Sequence, residues 1–179
     1  IMAKILDLAS MQVTASTTVY DPTCGSGSLL LKVAAEGDGK PTLYGQEFDL
    51  ATSALARMNM IVHNFPTGDI QQGNTLSAPF FKDGENLKTF DFVVANPPFS
   101  DKSWTTGLSP EEDKFGRFEG FGIPPDKQGD YAYLLHMVRS LKSTGRGCII
   151  LPHGVLFRGN AEADIRKNLI EKGIIKGII

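Results

Sequence analysis

Basic charge, cysteine and long apolar runs are all scarce in this chain, and each shortage narrows what it can do. Across 179 residues, 18 lysines and arginines face 20 aspartates and glutamates, for a net charge of −2. A protein that holds nucleic acid alone usually carries a basic footprint. If nucleic acid is the substrate, another polypeptide must therefore supply much of the phosphate contact. No apolar run approaches the roughly 20 residues of a membrane span, and no charged-then-apolar leader opens the sequence, so no membrane partner is expected. Cys24 and Cys148 lie far apart with no ligand spacing, which suits a reducing cytoplasm and argues against a disulfide. His63, His136 and His153 are equally scattered, so no metal site is expected. The chain opens on Ile1 inside a helical pattern and closes on the strand-like "GIIKGII". It is expected to be a single domain, 1–179, cut from a longer protein at both ends.

What the sequence does contain is alternation. Ile1, Ile5, Leu6, Leu8 and Ala9 have helical spacing. "TTVYDPT" predicts a strand, and "SGSLLLKVAAEG" a helix stopped by a left-handed Gly37. "TLYGQEF" predicts a second strand. Asp49 then caps a helix whose apolar stripe is Leu50, Ala54, Leu55, Met58 and Ile61 or Val62. A weak strand near Ile70 precedes "FDFVVAN". Asp130 is expected to cap a helix through Lys142, "GRGCIILP" to form a strand, Asn160 to cap a helix to about Lys172, and the chain to end in a strand. Strands alternating with helices of 10–15 residues predict an α/β fold, a doubly wound and mostly parallel sheet covered on both faces. Residues 101–129 hold five glycines and three prolines without periodicity and predict a long loop.

Two motifs carry chemistry. In "VYDPTCGSGSLL", Asp21 ends a strand, and Gly25 and Gly27 turn the chain into a helix. Glu47 ends the next strand, where doubly wound folds place the acid that binds ribose hydroxyls. The plain alternatives are a tight strand–helix turn and a surface carboxylate. A pyrophosphate would not favour Asp21 in its loop, whereas the sulfonium and ammonium of S-adenosylmethionine would, so charge favours the methyl donor.

The second motif is "VVANPPFS", Val93 to Ser100. A strand running into two prolines is at minimum a strand stop, because proline has no N–H for the ladder. The same turn suits a flat amino-bearing ring. The Asn96 side-chain oxygen and the Pro97 carbonyl can each accept one amino hydrogen and aim the nitrogen lone pair. Proline preorganises those acceptors, and Phe99 can stack on a base for about 1–3 kcal/mol. With "TTVYD" and "FDFVVAN" as neighbouring strands at the switch point, Asp21 and Asn96 would face one crevice.

"DPTCGSG" followed by "NPPFS" resembles the amino-methyltransferases of DNA, most closely the modification subunit of type I restriction–modification systems. "LYGQE", "ALARMNMIVH", "GNTL" and "GVLFRGNAEADIRKNLIE" extend the resemblance, in order, over nearly the whole chain. It implies a Rossmann-like, S-adenosylmethionine-dependent enzyme that methylates N6 of a flipped-out adenine in DNA, with Asn96, Pro97, Pro98 and Phe99 as catalytic motif. By the same resemblance Asp21, Thr23, Gly25 and Gly27 line the donor's methionine and ribose, Glu47 binds the ribose hydroxyls and Phe48 lies beside the adenine. Asn74 stands where the family usually has an aspartate at the adenine amino group. The family's further donor-contacting motif would lie before Ile1. The implied partners are DNA, a specificity subunit and a restriction subunit, in the cytoplasm. Two other readings remain open: methyl transfer to an amino group of RNA or of a protein glutamine, and a non-catalytic scaffold of the same fold. For the loop 101–129 the choices are a solvated segment or a flap beside the flipped base, with Trp104 and Phe115 as contacts.

Overall fold

Parallel neighbours need a crossover long enough to return the chain to the same end of the sheet, and helices fill three of those gaps here, a small hairpin the fourth. The computed structural model describes residues 2–6 and 13–179. In chain order these form α1 (Met2–Ile5), β1 (Thr18–Asp21), α2 (Ser28–Ala34), β2 (Thr42–Glu47), α3 (Leu50–Val62) and β3 (Asp69–Gln72). A small hairpin follows, β4 (Lys82–Asp83) with β5 (Asn86–Leu87), then β6 (Phe90–Ala95), α4 (Asp130–Arg139), β7 (Leu141–Ile149) and α5 (Ala161–Glu171). The helical expectation for Leu8 and Ala9 lies outside the described residues. The main sheet runs β3-β2-β1-β6-β7, all parallel, so strand order reverses between β1 and β6 as expected of a doubly wound, Rossmann-like fold.

Successive strand residues face opposite sides of a sheet, and the core divides accordingly. Val19, Phe92 and Val94 pack with Leu30, Val33, Ala56 and Met60 on the side of α2 and α3. Tyr20, Val93 and Ala95 pack with Phe81 and Met137 on the side of α4. Burying each such large side chain is worth about 1.5–3 kcal/mol, and β6, buried on both faces, collects most from this. Among the described residues no helix is long and apolar enough to cross a membrane.

Several local expectations are corrected. Helix α2 stops at Ala34, and Gly37 is not left-handed; it lies against Val13. Asp49 does cap α3, accepting from the Thr52 amide at 2.7 Å. The apolar stripe of α3, however, faces outward: Leu50, Leu55, Met58, Ile61 and Val62 are exposed, while Ser53, Ala56 and Met60 are buried. Asp130 is the first helical residue of α4 rather than its cap, and that helix ends at Arg139. Asn160 precedes α5 as expected, but its side chain makes no capping bond. Residues 174–179 form no strand; Gly173, at φ +66°, ends the α5 turn and the isoleucines that follow are left outside the sheet. The hairpin was overlooked, although Asp83-Gly84 is a turn signal and Gly84 has φ +61°.

The segment 101–129 is an anchored loop, and Trp104 does not stand free to meet a base. The Gly129 amide donates to the Asp101 carbonyl at 3.0 Å and closes its neck. Trp104 is buried, and its indole N–H donates to the Pro125 carbonyl at 2.9 Å. Phe118 and Phe121 join it in a cluster with Tyr131, Leu135, Ile165 and Leu169 of α4 and α5. Phe115 is half-buried under the Arg117 guanidinium. Trp104, expected to contact the base, is thus a core anchor, because the aromatic surface of the loop packs onto α4 and α5.

Candidate functional site

Close packing starts the site at the end of β1. Gly45 of β2 has no side chain, and a Cβ there would meet Ile70 Cδ1 at 2.7 Å and Cys24 Sγ at 2.8 Å. The turn after β1 can therefore lie across β2, with the Cys24 amide donating to the Gln46 carbonyl at 3.0 Å. Gly25 and Gly27 then take φ of +54° and +78°, which L side chains rarely adopt. A Cβ on Gly27 would stand 2.5 Å from Met60 Cε. Gly27 thus supplies the close helix approach for which dinucleotide sites use a third glycine.

Glu47 is no idle surface acid. Its Oε2 accepts from the Gly25 amide and its Oε1 from the Asp49 amide, both at 2.9 Å. It ties the glycine turn to the end of β2, and the neighbouring Phe48 ring is 70% exposed. Asp21 is almost fully buried, accepting from the Thr23 amide at 2.9 Å and hydroxyl at 3.4 Å. Burial pushes its carboxyl up to about 7; the Thr23 bonds only partly offset this, and the Glu47 charge adds to it. Glu47 and the buried Asp21 flank the turn, and a cation placed there would favour the ionised form of Asp21. Asn74 turns its side-chain oxygen inward, accepting from the Leu76 amide at 2.9 Å and the Ser77 amide at 3.3 Å. The atom that would meet the donor's amino group is spent on its own turn.

Across the switch point, the pairs Val19–Phe92 and Tyr20–Val93 set the ends of β1 and β6 on one edge of the sheet. Asn96 follows β6 immediately. It is exposed, and its side chain makes no hydrogen bond among the described residues. Pro97 is buried, Pro98 exposed, and the Phe99 ring 55% exposed. The turn thus offers a free amide and a free aromatic face on a backbone that its prolines restrict.

Beneath this edge runs a buried polar chain that sequence reasoning missed. Arg117 pairs with Asp113 at 2.6 Å, and its Nη1 lies 3.5 Å from His136 Nδ1. His136 Nε2 lies 3.2 Å from the Tyr20 hydroxyl, which is 3.2 Å from Thr75 Oγ1, which donates to Gln46 Oε1 at 3.1 Å. Arginine can only donate and an amide oxygen only accept, so the direction is fixed from Arg117 to Gln46, with the His136 proton on Nε2. Burial, reinforced by Arg117, drives the His136 imidazole down to about 3 and keeps it neutral. One signal was available: a glutamine inside a central strand needs a partner. Among the described residues no group of three or more His, Cys, Asp or Glu could hold a metal.

A family model described as N-6 DNA Methylase matches residues 1–179. The type I restriction enzyme MpnII methylase subunit of Mycoplasma pneumoniae is 36% identical over 172 residues, covering 90% of this chain and 32% of that protein. The type I restriction enzyme MjaIX methylase subunit of Methanocaldococcus jannaschii is 33% identical over 170 residues, covering 90% and 30%. Among solved structures, the type I restriction-modification system methyltransferase subunit from Streptococcus thermophilus superposes with a TM-score of 0.84 at 38% identity, covering 96% of this chain and 36% of that one. The chain thus spans about a third of the length of the relatives it matches.

Proposed function

Because the chain belongs to the N-6 DNA methylase family, we propose that it is the catalytic core of a modification subunit, transferring methyl from S-adenosylmethionine to N6 of an adenine flipped out of DNA. One observation carries this reading: the Asn96 amide, without a hydrogen bond among the described residues, and the exposed Phe99 ring lie at the same end of the sheet as the glycine turn. The turn suits the donor. Asp21 and Glu47 favour a sulfonium and an ammonium over a pyrophosphate, Phe48 offers a face to an adenine, and the space beside Gly25 is open, with nothing within 4 Å of a Cβ built there. Thr23 and Gly27 complete that cradle, and Glu47 keeps lone pairs for a ribose diol. Asn74, its oxygen engaged, is left out of the donor site.

When bound, the donor supplies an electrophilic methyl on a cationic sulfur. The chain's own part is alignment and electrostatics. Asn96 Oδ1 and the Pro97 carbonyl accept the two amino hydrogens, which frees the nitrogen lone pair from the ring. Phe99 stacks on the base, offsetting part of the cost of taking it from the duplex. The relatives are methylase subunits of type I restriction enzymes. With a net charge of −2, this chain has little phosphate attraction of its own, and phosphate contacts supply most non-specific DNA affinity. A specificity subunit that reads DNA and a restriction subunit are the partners that follow from this reading.

The test is transfer of labelled methyl by the assembled complex, offered DNA, RNA and protein. Asn96→Ala should lower transfer to DNA by at least about 100-fold, as for loss of one preorganised donor or acceptor, with donor affinity unchanged. Near-normal turnover by the variant would overturn the mechanism, and transfer to RNA or protein instead of DNA would overturn the substrate.

A further inference from the structure

Charge is buried at one more place, the start of α4. Asp130 is fully buried, yet it does not cap its own helix. Its Oδ1 accepts from the Ser100 amide at 2.8 Å, and its Oδ2 from Arg158 Nη1 at 2.8 Å. The same arginine nitrogen reaches Gln128 Oε1 at 2.9 Å and Glu162 Oε1 at 3.1 Å. A buried carboxylate is costly unless its partners are well placed, and here they come from two separate turns.

Ser100 directly follows Phe99 and has φ +51°, a left-handed conformation that a serine holds only when its surroundings impose it. Upstream, the Ile150 amide donates to the Ala95 carbonyl at 3.0 Å, so the turn 96–99 is held on both sides. Arg158 directly follows Phe157, in the turn after β7. Its guanidinium passes over Gly154, where a Cβ would lie 2.6 Å from Arg158 Nε. Arg166 Nη1 donates to the Arg158 carbonyl at 2.7 Å and the Val155 carbonyl at 3.0 Å, fixing that turn in place. Phe99 and Phe157, both exposed, thus each adjoin a residue that Asp130 holds.

We propose that Asp130 is a positioning residue for methyl transfer: it clamps Ser100 and, through Arg158, locks the turn after β6 to the turn after β7. The proposal rests on the reading of Asn96–Phe99 as the methyl-transfer turn. Asp130 touches neither donor nor base; it sets where Asn96 and Phe99 stand. A general staple of the fold would loosen the donor site as much as the catalytic turn, whereas this clamp acts on one side of the crevice.

The experiment uses the full-length subunit in its complex, with Asp130→Ala, Asp130→Asn and Arg158→Lys. Single-turnover methyl transfer, donor affinity and amide hydrogen exchange are measured for each. Asp130→Ala should slow transfer by about 100-fold, the scale of a displaced catalytic group. Its donor affinity should stay within about twofold, and exchange should quicken in 96–101 but not in 21–28, as for a local opening. Asp130→Asn keeps an acceptor for Ser100 and should recover transfer to within about tenfold of the parent. If the alanine variant does not fold, Arg158→Lys decides, since the shorter lysine stem stops its ammonium short of the point where Arg158 Nη1 meets its three acceptors: transfer should drop by about tenfold with donor affinity unchanged. Transfer within twofold of the parent, or donor affinity falling in step with transfer, overturns the proposal. If the parent complex transfers no methyl to DNA, the functional reading fails by itself, and exchange in 96–101 alone decides whether Asp130 holds the turn.

Discussion

Glu47 shows how one side chain is asked to do two things. Its oxygens already accept the Gly25 and Asp49 amides, and in the proposed function the same atoms would also meet the donor's ribose. Glu47→Gln keeps the shape but puts an NH2 where one backbone N–H needs an acceptor. Donor binding is expected to weaken by about 1.5–3 kcal/mol, the range for hydrogen bonds to a charged group, and calorimetry reads this directly. Unchanged affinity would make Glu47 a brace of the turn and nothing more. The places of Glu47 and Asn96 were legible in the sequence because each sits at a strand end, where periodicity fixes it. Asp130 was not: its partners are Ser100 and Arg158, 30 and 28 residues away, and only the fold makes those distances short. The burial of Asp21 was equally hidden, since a carboxylate at a strand end reads as exposed in the sequence.

Among the elements, α3 is the instructive error. Its widest apolar stripe predicts the buried face, yet the helix packs through Ser53, Ala56 and Met60. The reason is the site. Gly27 brings the glycine turn against Ala56 and Met60, and the small Ser53 and Ala56 let the helix come close. A leucine at position 56 would push α3 off the turn. Met58→Gln and Ile61→Gln should therefore change unfolding free energy by no more than about 0.5 kcal/mol. Met60→Ala should cost about 2–5 kcal/mol. Urea unfolding of the three variants checks the contrast, and a large loss at Met58 or Ile61 would mean that the helix is rotated. Strand order, by contrast, was legible from the strand–helix alternation, because parallel pairing leaves few topologies once the crossovers are helical.

At the scale of the whole molecule, two buried groups set opposing pH dependences. His136 falls from 6.5 to about 3 in the folded protein, so the unfolded chain takes up the proton first. That contribution to stability is present above pH 6.5 and is lost as pH falls toward 3. Asp21 rises from 3.8 to about 7, so its contribution is present below 3.8 and is lost as pH rises through 7. Between pH 4 and 6.5 the two slopes oppose each other. His136→Gln removes one of them: the stability of the parent relative to this variant should shrink as urea unfolding is moved from pH 7 to pH 5. A difference that stays constant would mean that His136 is not held neutral. The outer edge of β7 carries a different consequence. No strand pairs with it among the described residues, and open edges invite a second chain to join. Between the Phe90–Leu141 and Phe92–Arg146 pairs the register slips, Lys142 is tied to Asp91 at 2.8 Å and Arg146 reaches the Leu6 carbonyl at 3.1 Å. That kinked, cation-bearing stretch makes a poor template for edge-to-edge pairing.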